Sequence, residues 1–429
     1  MSSISIKAPP LAASPWLTRF TESRAYYALQ DELAKLFSHA ETQRLLAFGL
    51  RAVMPNVVLG QFAVVTKHAD VVEVLNDPTH FRVSEIYGKR MARTTGAFFL
   101  GMDDSATYQR ETSYVRSAVE ARDLERVRNI AARKAQELIA TAAVSGTLEA
   151  ATGYSHAIAL AVVAEYFGVS GPDETTMSRW MRNIFWDLFL NLTDLPSVSQ
   201  TALRDARELN AYLDQRIQEL HAQQVRGDKL PDTFFGRLFA KTLELGFDDI
   251  TLRRNLAGVI VGAVDTVSKS TVHIIDQLLQ RPHELEAARR AALAGDDELV
   301  AAYAFEALRF NPHNPIILRH CARSVHVARG TAREALIPAG TTVYASTLSA
   351  MFDPSAVEQP HVFRVDRPWQ KYLHFGDGMH RCFGERFNRV VIPQAIKALL
   401  LRPALARVPG TAGKLHYEGP FPTRMQVII

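Results

Sequence analysis

From about Leu124 to Leu308 apolar residues recur every three to four positions among Ala, Leu, Arg and Glu, the spacing of amphipathic helices. Polar breaks at "SGPDE", "TDLPS", "RGDKLP", "QRPHE" and "AGDD" cut this region into successive elements. Strand-like runs are short: "VVLGQFAVVT", "HVARGT", "TTVYAS" and the terminal "MQVII". Near the end, "ERFNRVVIPQAIKALLL" puts Phe387, Val391, Ala395 and Leu399 on one helical face, with Pro393 removing an N–H and predicting a kink. The pattern predicts a mainly α chain with a smaller β region. No internal repeat, low-complexity tract or shift of composition marks a linker, so residues 1–429 are read as a single domain, with residues 1–20 as a loosely ordered N-terminal segment.

The longest apolar run, "LAGVIVGAV" at Leu256–Val264, stops at Asp265, short of the roughly 18–20 residues that span a bilayer. The N-terminus has no charged-then-apolar signal layout. A cytoplasmic protein without a membrane anchor is expected. The charge balance, 49 basic against 45 acidic residues, gives +4 and does not point to nucleic acid. Two cysteines, Cys321 and Cys382, are too few for a disulfide framework or an all-cysteine metal site and fit a reducing compartment.

Three constellations carry candidate chemistry. In "HFGDGMHRCFGER", Phe375, Gly378, Cys382 and Gly384 fit F-x-x-G-x-x-x-C-x-G just before the last long helix. A cysteine at a helix N-terminus, with Arg381 and Arg386 beside it, is favoured as thiolate, and glycines let the backbone wrap closely round the sulfur. Such a cysteine is a nucleophile or a metal ligand, whereas Cys321 reads as a small buried apolar residue. In "FEALRF", Glu306 and Arg309 share a helical face, and "HVFRVDRP" downstream offers Arg367 as a second arginine for a structural clamp. In "LAGVIVGAVDTVSKS", Asp265 and Thr266 fall in a helix apolar enough to be buried. They are either a functional acid and alcohol or a satisfied core pair, with Thr266 bonding back to a carbonyl one turn earlier and Gly262 permitting a bulge.

In this order and at these separations the three motifs resemble those of the cytochrome P-450 heme-thiolate enzymes, from about "DPTHFRV" to the C-terminus. The resemblance implies heme b, with Cys382 as the axial thiolate and metal ligand and Phe375 beside the sulfur. Asp265 and Thr266 would be the acid–alcohol pair that manages protons during oxygen activation, and Glu306, Arg309 and Arg367 the structural triad. Arg319 and His380 match heme-propionate partners. Tyr108 and Arg110, in "TYQRETSYVR", are the candidates where the family has a histidine or tryptophan followed by arginine. Tyr372 stands where bacterial members often carry a further histidine, and Ala263 where the family often has a glycine.

By the same resemblance Phe98, Phe99, Phe185, Phe189, Val261, Ile316, Ile317 and Phe421 would line the pocket for an apolar small-molecule substrate and dioxygen. A soluble bacterial-type monomeric monooxygenase is implied, fed by an external acidic ferredoxin or flavodoxin with its reductase. Lys371, Arg381, Arg386 and Arg389 around the cysteine loop would form the docking patch. Lys89, Arg90 and Arg93, next to Phe98 and Phe99, could hold a substrate carboxylate. Alternatives that keep the heme are a peroxygenase or isomerase needing no external electrons, and a non-catalytic heme protein that binds a ligand.

Overall fold

The computed structural model describes residues 40–191 and 194–429, so the N-terminal segment 1–20 lies outside the described residues. The axis of the fold is a 31-residue helix, Asp249–Leu279, whose start is capped by the Asp248 side chain accepting from the Thr251 N–H. Leu256, Ile260, Val261 and Val264 are all fully buried although they point in different directions, the mark of a helix enclosed on every side. It is long and apolar enough to cross a membrane, yet 78% of its most apolar window is buried inside the fold. That makes it a core helix. Helices Glu174–Phe185, Pro196–Val225, Asp297–Phe310 and Glu385–Leu400 pack against it, and Glu385–Leu400 packs in turn on Asp123–Ala142.

The breaks expected from the sequence start helices by two devices. Asp173 and Asp296 accept from the N–H groups of Thr176 and Leu299, and Pro196 and Pro282 occupy first turns, where a missing N–H costs nothing. One local expectation fails: the central helix stays α-helical through Gly262 without a bulge. The helix carrying Pro393 runs on to Leu400.

The largest sheet has five strands in the order Asn56–Leu59, Phe62–Val65, Thr342–Ala345, Ile317–Cys321 and Phe81–Arg82. Phe62–Val65 runs parallel to Thr342–Ala345, with Ala63 opposite Val343, and the other pairs are antiparallel. Register matters for the site because Ile317 and Arg319, two apart, share one face of their strand. Both reach the central cavity. The terminal strand Gln426–Ile428 pairs with Thr147–Glu149 and Ala406–Arg407, tying the C-terminus to the helical body.

Candidate active site

The loop before helix Glu385–Leu400 is built by short contacts. Gly376 and Gly378 have φ of +67° and +71°, the left-handed region that glycine tolerates. At Gly378 a Cβ would also lie 2.5 Å from the Leu75 carbonyl oxygen, so this glycine seats the loop on helix His68–Asn76 and does not line the cavity. The Cys382 N–H donates to the Phe375 carbonyl (2.9 Å), closing the turn. Tyr108, which the sequence offered as a ligand-edge residue, instead braces the loop from behind: its buried hydroxyl donates to the Met379 carbonyl (2.8 Å), and its ring meets His380 edge-on.

Cys382 opens onto one large cavity together with Phe375, Gly384, His380, Arg319, Thr266, Phe98, Phe185, Phe189 and Ile317. Its empty space is about 1640 Å³, part of it open to solvent. A Cβ on Gly384 would come within 3.7 Å of the Cys382 sulfur, and its absence leaves that approach free. The thiol does not have the lowered pKa its position predicts. Burial pushes it up to about 11, and the Glu385 carboxylate adds to this against the N–H groups of Gly384 and Glu385 and the charge of Arg381. Arg381 is turned away to Glu385, donating at 2.5 and 2.8 Å. A metal ion deprotonates a coordinating thiol outright, so this environment remains compatible with a ligand role.

Three buried nitrogens without hydrogen-bond partners belong to side chains of the cavity wall: Nε of Arg319, Nδ1 of His374 and Nδ1 of His380. Burial holds both histidines neutral, each with its pKa lowered to about 3, and lowers that of Arg319. An orphaned buried donor costs about 1–3 kcal/mol, more when charged, which a ligand carrying carboxylates would recover. The nitrogens of Arg319 and His380 therefore fit a heme whose propionates they would meet. His374, missed by sequence reasoning although it directly precedes Phe375, differs: its Nε2 donates to the Phe305 carbonyl (2.9 Å), so in the neutral ring Nδ1 is an acceptor and meets no carboxylate.

Several expected site residues are elsewhere. Arg110 is exposed, its guanidinium 4.2 Å from the Phe247 ring and bonded to the Leu245 carbonyl, so it does not reach the cavity. Phe99, Val261, Ile316 and Phe421 sit behind the lining. Phe99 packs on Phe98 and Phe383, and Phe421 on Trp186. The three roof cations are paired, Lys89 with Glu85, Arg90 through Nη2 with Asp194 and the Asn191 carbonyl, and Arg93 with the buried Asp187. Arg90 keeps a buried Nη1 without a partner, but none of the three lines the cavity. Thr266 lines the cavity while donating to the carbonyl of Gly262 (2.6 Å). Asp265 is buried off the cavity wall, its Oδ2 unpartnered and its pKa raised by burial to about 7.

The triad residues meet as a closed hub. Glu306, fully buried, accepts from Arg309 at 2.7 and 2.9 Å, from Arg367 at 3.2 Å and from the Arg364 N–H at 3.0 Å. Tyr372 completes it, its hydroxyl donating to Glu306 at 2.9 Å. Arg309 and Arg367 also bind the carbonyls of Pro360 and Gln359, clamping the irregular segment that leads to the cysteine loop. Around that loop Arg386 and Arg389 are exposed, Arg389 stacked 4.2 Å over Trp369, and Arg116 stands over Phe383.

Comparison with known proteins agrees with this geometry. The family profile named Cytochrome P450 matches residues 57–424. A bifunctional dioxygenase–epoxy alcohol synthase of Fusarium oxysporum is 27% identical over 250 residues, which are 54% of this chain but only 19% of that protein. The cyclomarin C epoxidase CymV of Salinispora arenicola is 26% identical over 351 residues, 80% of this chain and 84% of that one. In fold, the crystal structure of CalO2 superposes with a TM-score of 0.76 at 20% identity, covering 91% of this chain and 97% of the other. A profile match spanning the sheet, the central helix, the Glu306 hub and the Cys382 loop is decisive: the chain belongs to the cytochrome P450 family, whose members bind heme b.

Proposed function

We propose that the protein inserts one oxygen atom from dioxygen into an apolar organic substrate, using electrons from an external redox partner. The observation that carries this reading is that the Cys382 thiol and the Thr266 hydroxyl open onto one cavity walled by Phe98, Phe185, Phe189 and Ile317. Heme held by a cysteine thiolate supplies oxygen activation, because the thiolate pushes electron density onto the iron and favours O–O cleavage. Arg319 and His380 would hold the propionate edge. The aromatic wall excludes water and gathers an apolar substrate. The Thr266 hydroxyl, released from its back-bond to Gly262, holds a proton at the cavity surface, and Asp265 on the same helix resupplies it.

The exposed Arg386, Arg389 and Arg116, with the half-buried Lys371, favour an acidic ferredoxin or flavodoxin as electron donor, while Arg381 is spent on Glu385 and Asp377. A cytoplasmic monomer of one domain fits this role. A second reading, an isomerase or peroxygenase needing no external electrons, is favoured by the match to an epoxy alcohol synthase; the retained Asp265–Thr266 pair favours the first.

The reduced carbon monoxide complex of the wild type should show the strongly red-shifted Soret band of a thiolate ligand. Cys382→Ala should lose it and Cys321→Ala keep it. Turnover by the same preparation should depend on reductase and ferredoxin, and Thr266→Ala should give less product and more hydrogen peroxide per electron. Product formed from an organic hydroperoxide alone, with none from the reconstituted electron chain, would establish the second reading.

A further inference from the structure

Asp265, Lys269 and His273 recur at four-residue intervals on the central helix, and so lie one above another along one side of a buried element. Burying ionisable groups is costly unless they answer one another. His273 is fully engaged: Nδ1 donates to the Asn311 carbonyl (2.9 Å), which can only accept, so Nε2 accepts from the Tyr417 hydroxyl (3.0 Å). Among the described residues Lys269 has no such partner. Among the described residues the carboxylate whose charge acts on it is Asp265, and burial pulls its ammonium down to about 8. Asp265 in turn has a buried, unbonded Oδ2.

We infer that Lys269 is a positioning residue, the titratable counter-charge that decides when Asp265, one turn away, is ionised beside Thr266. The inference deepens the proton-supply reading above and rests on it for its consequence in turnover. Other groups face the pair. Arg182, on helix Glu174–Phe185 and stacked 5.4 Å from the Phe421 ring, acts on Asp265 more strongly than Lys269 does. It cannot lose its proton, so its contribution is fixed. His156 faces Arg182 and is held neutral by burial; His313, on the cavity wall, feels Lys269 and is also neutral. Lys269 is thus the member of this group whose charge changes near neutral pH. An acid N-terminal to a lysine at i, i+4 is also the favourable order on a helix.

The sign is fixed by electrostatics. Burial raises the carboxyl and the two cations lower it, so removing one cation must raise it further. The test is pH-difference infrared spectroscopy of the folded heme-loaded protein, read at the carbonyl stretch of protonated carboxyls. The band that Asp265→Asn abolishes should titrate with a midpoint near 7 in the wild type. In Lys269→Met that midpoint should move to alkaline pH, and Lys269→Arg should bring it back. Lys269→Gln serves the same purpose should the methionine variant not accumulate. An unmoved midpoint in a folded, charge-free variant overturns the inference, whatever turnover does. A moved midpoint with an unchanged product-to-peroxide ratio in Lys269→Met and Asp265→Asn upholds Lys269 and overturns the proton-supply role of Asp265 instead.

Discussion

Two glycines one turn apart on the central helix should respond oppositely to the same methyl group. At Gly258 an added Cβ would stand 2.3 Å from Cδ1 and 2.4 Å from Cγ of Phe98. Carbon atoms settle at roughly 3.5–4.0 Å, so the ring must retreat by about 1.2–1.7 Å. It cannot do so freely. Phe98 is 1% exposed and meets Phe99 edge-on at 5.5 Å, and Phe99 meets Phe383, the neighbour of Cys382, at 5.8 Å. Overpacking costs about 1–3 kcal/mol, against a gain of about 1 kcal/mol for replacing a helical glycine by alanine. Gly258→Ala should therefore be destabilising by up to about 2 kcal/mol. At Gly262 a Cβ meets nothing within 4 Å, so Gly262→Ala should keep the gain of about 1 kcal/mol while its methyl narrows the cavity beside Thr266. Chemical denaturation of the two variants checks the signs. Ligand titrations followed at the Soret band check the shape, with bulky ligands losing more affinity than small ones in Gly262→Ala. Shifts of the same sign in both variants would refute the packing argument.

Tyr372→Phe removes the donor to Glu306 without leaving an orphan, since that oxygen keeps its bond from Arg309. A loss of about 1.5–3 kcal/mol, the range for hydrogen bonds to a charged group, is expected by denaturant titration, with the Soret band unchanged. His156 is buried and bonded to Ser178 at 3.1 Å. Burial, with Arg182 assisting, lowers its pKa to about 4. Its folded pKa lies below the unfolded value of about 6.5, so the unfolded chain binds the proton first and stability falls as pH drops from about 6.5 towards 4. In His156→Gln that part of the stability–pH curve should be flatter.

What could be read from the sequence was whatever is local. The cysteine loop and the following helix are contiguous, so their spacing is their geometry. The hub was only half visible, because Glu306 and Arg309 share a helix while Tyr372 lies 66 residues on and is joined to them by the fold alone. Gly378 shows the same limit: the loop's need for a glycine was legible, but its cause, the Leu75 carbonyl, was not. Other misplacements were avoidable. Tyr108 and Arg110 are two apart in helix Ala106–Ser117 and so point to nearly opposite sides; only one could approach the loop. Asp265 and Thr266 are about 100° apart on theirs, and the period that puts Thr266 on the wall with Val259, Gly262, Ala263 and Ser270 excludes Val261 and Asp265.

Buried polar atoms without a partner are scattered through the described residues, from Asn56 to Arg402, so where they face matters more than that they exist. Glu306 is as buried as any residue in the chain, yet its bonds to Arg309, Arg364, Arg367 and Tyr372 are all made within the chain. Such a hub is complete without a ligand and belongs to folding. Arg319 and His380 are enclosed as well, but each leaves a nitrogen unanswered on the wall of one cavity. Two unmet nitrogens facing one empty space each weaken the fold by their desolvation. Their cost is recovered only when something polar enters that space. Heme, with two carboxylates and an apolar macrocycle, would answer both the orphans and the greasy wall. Asp265 also has an unanswered oxygen, Oδ2, yet it stands off the wall. No propionate can meet it there, so what answers Asp265 must be a proton or the charge of a neighbouring side chain.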